Sequence, residues 1–254
     1  MKNLIRKSFS KHSITYDDYA IAQKKAAFLL KEEILKDGIC EKNIEKIIEI
    51  GCGTGILSVY LDDFFKNSQI YFSDISSQMI LECKKKIKTS RQRHFLLVNG
   101  ENYKKENRFD LIVSSFTLQW FEDYGNALNN YLLSLKKNGF LYLAFQGPES
   151  FPEWKQTALE LNLPFTGNLM PDPKKIKTII NKFSSSEVFK KEIKVNYNSS
   201  IDFFRSLQKI GAGHKTNSKS YSKKEFINLI KHWDKKTNNK VEITYVVYFV
   251  KGQK

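Results

Sequence analysis

Between residues 46 and 145 the chain alternates short apolar, β-like runs with stretches whose apolar residues recur every three or four positions. The runs near 46–50, 69–73, 94–98, 109–114 and 140–145 predict strands. Helical periods near 55–66, 76–88 and 122–135 predict the helices between them, the last closed by Asn138-Gly139. Strands alternating with helices at this spacing are the signature of a parallel sheet covered on both faces, so the fold class is α/β, a doubly wound, mostly parallel sheet. Right-handed crossovers then bring the strand C-termini to one edge, where ligands of such folds bind.

The flanks read differently. Residues 1–15 show no clear period, whereas Tyr19, Ala22, Ala26, Leu29, Leu30 and Ile34 recur at helical steps and predict one helix from Tyr16 to Lys36, closed by Gly38 in left-handed geometry. Beyond Phe145 helices are predicted near 153–161, 172–183 and 199–213, and from the capping box Ser222-Lys223-Lys224-Glu225 to about Lys235. Val188 to Tyr197 and Val241 to Val250 are β-forming, which fits a pair of strands interrupted by a helical excursion. The expectation is a single domain over 1–254, with a ligand-binding core at about 37–147. Cap segments at about 1–20, 148–170 and 199–236 would fold over the ligand edge.

Composition narrows the setting. No apolar stretch is long enough to span a bilayer, and Met1-Lys2-Asn3-Leu4-Ile5-Arg6-Lys7 lacks the apolar region of a signal peptide, so a cytoplasmic protein without membrane partners is expected. Cys40, Cys52 and Cys83 are odd in number and lack metal-type spacing, which predicts free thiols and no metal site. The formal charge of +15 suits an acidic partner, but only five of the 42 basic residues are arginine, the residue that reads phosphates and bases bidentately. Compositional bias explains the charge equally well, and nucleic acid is not expected.

The chemistry centres on Ile47-Ile48-Glu49-Ile50-Gly51-Cys52-Gly53-Thr54-Gly55, a strand breaking into a helix through alternate glycines. Such a turn lets the backbone touch a ligand. A dinucleotide fingerprint has a glycine or alanine where this chain has Ile56, and a phosphate loop has Gly-Lys-Ser/Thr, which is missing. Glu49 would sit beside the ligand and suits a cationic or hydroxyl-rich one. Asp74, 19 positions after Gly55 at the end of the second strand, can accept both hydroxyls of a ribose. Asn99-Gly100-Glu101 offers a turn for an adenine edge, and Gln119 and Trp120 fall where the reacting end of a ligand would lie. The Asn/Asp-Pro-Pro-aromatic turn of base N-methylating enzymes is replaced by Ser114-Ser115-Phe116-Thr117.

With Glu49, the glycine turn, Asp74 and the Phe109–Val113 strand, residues 45–145 resemble class I S-adenosylmethionine-dependent methyltransferases, whose fold is Rossmann-like. A closer resemblance runs over nearly the whole chain. Phe9–Asp17, Leu118-Gln119-Trp120, Phe145–Phe151, Ser206–Ala212 and Thr244–Tyr248 are similar to the malonyl-[acyl-carrier protein] O-methyltransferases that start pimelate synthesis for biotin. This resemblance implies S-adenosylmethionine as cofactor, S-adenosylhomocysteine as product and malonyl-acyl carrier protein as partner, for an enzyme expected to act as a monomer. It implies a cofactor site of His12, Tyr16, Glu49, Gly51, Cys52, Gly53, Asp74, Ile75, Met79, Asn99, Gly100, Glu101, Ser115 and Gln119.

The implied reaction esterifies a carboxylate already ionised near neutral pH, so positioning replaces general-base catalysis. A buried carboxylate needs a cation or strong donor. Arg205 is the expected cation, with Tyr16, Gln119 and His214 as supporting donors. Lys174, Lys175, Lys177, Lys215, Lys219, Lys223 and Lys224 would steer an acidic carrier protein. Two other readings remain open: a methyltransferase for a small free carboxylic acid, and an RNA-binding methyltransferase or catalytically silent binding module.

Overall fold

A computed structural model describes residues 2–87, 90–213 and 220–254. Its strands are β1 (Lys46–Ile50), β2 (Gln69–Asp74), β3 (Arg93–Leu97), β4 (Phe109–Ser115), β5 (Leu135–Gln146), β6 (Ser185–Tyr197) and β7 (Val241–Gln253). They form one sheet in the order β3-β2-β1-β4-β5-β7-β6. β1 to β5 pair in parallel, with Ile47 opposite both Ile70 and Leu111. β7 runs antiparallel between β5 and β6. The helices are α1 (Lys2–His12), α2 (Tyr16–Tyr19), α3 (Ile21–Lys36), α4 (Ser58–Phe64), α5 (Ser77–Lys86), α6 (Tyr124–Ser134), α7 (Pro152–Glu160), α8 (Pro173–Ile180), α9 (Ser200–Lys209) and α10 (Lys223–Thr237).

Period-two side-chain alternation divides the core into two layers. Ile47, Leu111, Val113, Tyr142 and Ala144 join Ala26, Leu30 and Ile34 of α3 on one face, while Ile48, Ile112, Leu141 and Leu143 join Leu128 and Tyr131 of α6 and Ile176 of α8 on the other. Each such Leu or Ile, buried from water, stabilises the fold by about 1.5–3 kcal/mol. Lys251 of β7 bridges Glu33 and Asp37, and Lys191 of β6 also reaches Glu33, tying α3 to the antiparallel end of the sheet. All three cysteines are free thiols. No helix among the described residues is long and apolar enough to cross a membrane.

Departures from the sequence pattern have local causes. α1 forms where no period is evident: its one deeply buried residue is Ile5, Phe9 packs against Trp120, and polar contacts from Ser8 and Ser10 complete its attachment, too few apolar positions to show a helical repeat. The long helix predicted from Tyr16 is broken at the fully buried Ala20 (φ −81°, ψ 45°), so that Tyr16 and the apolar face of α3 take different directions. Gly38 is left-handed as expected (φ 64°). α4 starts three residues later than the pattern suggests, since the glycine turn runs through Gly55 at φ 92°. Asn138, left-handed at φ 62°, lies in an irregular opening of β5 rather than between helix and strand. α9 and α10 form the excursion between β6 and β7, and the Ser222–Glu225 capping box is present.

Candidate active site

The glycine turn is built by exclusion of side chains. Gly51 has φ 73°, and a Cβ there would sit 2.1 Å from Oγ1 of Thr117; around Gly53 (φ 54°) a Cβ would meet nothing within 4 Å. The Gly53 backbone therefore faces open space, and its N–H donates to Asp74 at 2.9 Å. The other Asp74 oxygen accepts from the Ser76 N–H at 2.8 Å. Glu49, 1% exposed, accepts from the Ser58 hydroxyl at 2.6 Å. Burial pushes the Glu49 carboxyl up to about 8 and that of Asp74 up to about 6, desolvation outweighing the hydrogen bonds from Ser58 to Glu49 and from the Ser76 and Gly53 N–H groups to Asp74.

Two adjoining cavities lie over this turn and share Tyr16, Gly51, Gly53, Ser115 and Phe116. One is walled by Ile5, Phe9, Ile50, Asp74, Ile75, Met79, Val98, Asn99 and Gly100, the other by Gln23, Glu49, Cys52 and Leu57. Together they form a slot with apolar walls at one end and Glu49 at the other. α2 is held over it by Asp17, which accepts from Thr54 of the turn at 2.5 Å and pairs with Lys86. Burial and the nearby Asp74 and Asp17 carboxylates raise the Tyr16 phenol well above its ordinary range, so it is a neutral donor.

A larger chamber of about 260 Å³ lies beyond the slot and shares Trp120 with it. Phe151, Trp154, Phe204, Leu207, Tyr221 and Phe226 from α7, α9 and the start of α10 line it, with Thr166, Asn168 and Met170 from the preceding loop. Edge-to-face contacts stiffen the wall, Trp154 lying 4.7 Å from Phe165 and 4.9 Å from Phe204 by ring centroids. Between slot and chamber is a small neck on which Phe9, Tyr16, Phe116, Gln119, Trp120 and Gln146 converge. Among the described residues, the buried side-chain polar atoms without a partner are Ser115 Oγ, Gln119 Oε1 and Gln146 Nε2, and all three residues line these cavities. A folded protein leaves such groups unpaired chiefly where a ligand or water completes them.

Of the sequence-predicted residues, Tyr16, Glu49, Gly51, Cys52, Gly53, Asp74, Ile75, Met79, Asn99, Gly100, Ser115 and Gln119 line slot, chamber or neck. Three do not. His12 turns back in α1 to bond the Ser8 carbonyl at 2.8 Å, and Ile5 and Phe9, one face of that helix, take the slot position. Glu101 is buried away from the slot, accepting from the Asp123 N–H and pairing with Lys2. Arg205 is displaced by helical rotation: Phe204, Leu207 and Gln208 are the chamber-facing positions of α9, and Arg205 points to solvent, paired with Asp202 and 64% exposed at its side chain. His214 lies outside the described residues, as do Lys215 and Lys219.

Residues 48–141 match the methyltransferase domain family. The chain is 29% identical to malonyl-[acyl-carrier protein] O-methyltransferase 2 of Ilyobacter polytropus over 99% of its own length and 98% of the relative's. It is 32% identical to the malonyl-[acyl-carrier protein] O-methyltransferase of Magnetococcus marinus, over 82% of this chain and 76% of that one. The chain belongs to the malonyl-[acyl-carrier protein] O-methyltransferase family. Its fold is shared with the YcgJ protein of Bacillus subtilis (TM-score 0.61, 15% identity, 89% of this chain and 98% of the other), and the sheet is Rossmann-like.

Within that family frame, the cavity-lining residues to which sequence reasoning assigned no role include Ile5, Phe9, Val98, Phe116 and Gln146. Ile5 and Phe9 share a helix face at i, i+4 spacing, and Phe9 opens the Phe9–Asp17 segment that resembles the family, but neither observation assigned them a role. Phe116 is held at φ 54°, costly for a bulky residue, at the end of β4 where slot and neck meet. Gln146 is a polar residue closing an apolar strand before a glycine.

Proposed function

We infer that this protein is an S-adenosylmethionine-dependent O-methyltransferase that esterifies the free carboxyl of malonyl-[acyl-carrier protein], opening pimelate synthesis for biotin. The observation that carries this reading is a donor slot meeting a larger aromatic chamber at a neck where Tyr16, Gln119 and Gln146 converge.

The slot fits S-adenosylmethionine by its own chemistry. Asp74 suits the ribose hydroxyls, Ile75, Met79 and Val98 the adenine faces, and Glu49, the open Gly53 backbone and the unpaired Ser115 hydroxyl the charged amino-acid end. When bound there, the cofactor supplies an electrophilic methyl group and leaves as S-adenosylhomocysteine. The chain's residues have no proton to remove, because the acceptor carboxyl is ionised near pH 7. Their work is to hold the carboxylate at the neck and to exclude water, which Trp120, Phe116 and the aromatic wall do.

A basic surface supports delivery by an acidic carrier. Lys223 and Lys224 are exposed between Tyr221 and Phe226, which line the chamber, and Lys174 and Lys177 are exposed on α8. The protein acts as a monomer in this reading, with α7, α9 and α10 as a cap over the 37–147 core. Incubation with malonyl-carrier protein and labelled S-adenosylmethionine should give the methyl ester by mass detection. An unmodified carrier protein would refute the assignment, and comparable turnover of free malonate would favour a small-acid enzyme.

A further inference from the structure

Gln146 occupies the last position of β5, held in register opposite Val247, and the next N–H, from Gly147, donates to the Val246 carbonyl at 2.8 Å. The chain can leave the strand there only without a side chain, since a Cβ on Gly147 would lie 2.5 Å from the Tyr248 ring. The Gln146 backbone is therefore fixed by the sheet, and its side chain, in a residue 7% exposed, lines both chamber and neck with its Nε2 buried and unpartnered.

None of the described residues lining the chamber is charged. Among these residues a carboxylate is met by neutral donors, several of which are already engaged: Trp154 Nε1 donates to the Tyr221 hydroxyl at 3.2 Å, Thr166 bonds Tyr221, and Asn168 has a partner of its own. Gln119 has committed its Nε2 to the Phe116 carbonyl at 2.9 Å and presents an acceptor, Oε1, which a carboxylate cannot use. Tyr16 faces the neck from the slot side. Gln208 is exposed. Resting on the carboxyl-methyltransferase reading above, we propose that Gln146 positions the acceptor carboxylate, its Nε2 donating to one oxygen and leaving the other free to take the methyl group. A neutral amide suits this task better than a guanidinium. It fixes the direction of the carboxylate without drawing off the charge that makes the oxygen nucleophilic.

Two variants test this. Q146L keeps the shape and removes the donor. It should raise KM for malonyl-carrier protein or lower kcat/KM by about ten- to a hundredfold, the range for a hydrogen bond to a charged group. Its melting temperature and calorimetric affinity for S-adenosylhomocysteine should match the wild type. Q146E is the sharper probe. Ionised, it repels the acceptor; protonated, it offers an O–H in place of the N–H, and burial in a neutral chamber raises its pKa. Its kcat/KM should therefore climb as pH falls from 8 to 6, a limb the wild type lacks. Wild-type kinetics in Q146L, or a Q146E profile parallel to the wild type, overturns the proposal while leaving the methyltransferase reading intact. If Q146L does not fold, the Q146E profile decides alone. A wild-type enzyme inactive on malonyl thioester removes both.

Discussion

Buried against Ser58 and the glycine turn, Glu49 carries a proton near pH 7 in the ligand-free protein, its carboxyl being pushed up to about 8 by desolvation. The folded value exceeds the unfolded one. Glu49's stabilising contribution is thus complete below the ordinary carboxyl range and is lost as pH rises through about 8, and Asp74 acts in the same direction up to about 6. Chemical denaturation should accordingly show the ligand-free protein losing stability between about pH 5 and 8, and E49Q should flatten the upper part of that decline. A cationic ligand beside Glu49 favours the ionised form. Calorimetric affinity for S-adenosylmethionine should rise with pH over about 6 to 8, by at most about tenfold per unit, and lose that dependence in E49Q. Gly51 gives a steric counterpart: G51A forces a Cβ against Thr117 at positive φ and should cost about 1–3 kcal/mol in urea denaturation, with loss of cofactor binding.

At the scale of elements, α1 contributes to the slot through two side chains. Phe9 stands edge-on to Trp120 at 5.1 Å, so F9A should weaken S-adenosylmethionine binding about two- to tenfold and alter the ligand-induced tryptophan fluorescence change. That helix is also the element the sequence concealed, because one face holds Ile5 and Phe9 and the rest is polar apart from the exposed Leu4. β1 and β4 were readable, since central strands buried on both faces are continuous apolar runs rich in isoleucine and valine, and β2, β3 and β5 followed from short apolar runs at regular βαβ spacing. Glu49, Asp74 and the glycines were readable for a related reason: strand ends fix which residues reach the ligand edge. α9 was readable as a helix, but its rotation was not, and 100° of phase separates Phe204 in the chamber wall from Arg205 in solvent. Gln146 lies within the Phe145–Phe151 segment of the resemblance, but its role was not assigned, because nothing in a sequence marks an amide nitrogen as unpaired.

For the molecule as a whole, the charge of +15 becomes informative only where it lies near the chamber. If Lys223 and Lys224 steer an acidic carrier, kcat/KM on malonyl-carrier protein should fall several-fold as the ionic strength rises from 0.01 to about 0.2 M. A K223E/K224E variant should reproduce that loss at low salt while leaving S-adenosylhomocysteine affinity unchanged. The placement of β7 sets a further condition, this time on assembly. Among the described residues β6 pairs within the sheet with β7 alone, and α9 and α10, which wall the chamber, are strung between the two. On the ribosome, β1 to β5 can therefore zip together and shape the slot while the acceptor side still has no strand to rest on. A nascent chain halted before Val241 would carry a cofactor cradle open to water, and substrate recognition would be acquired in a single late event.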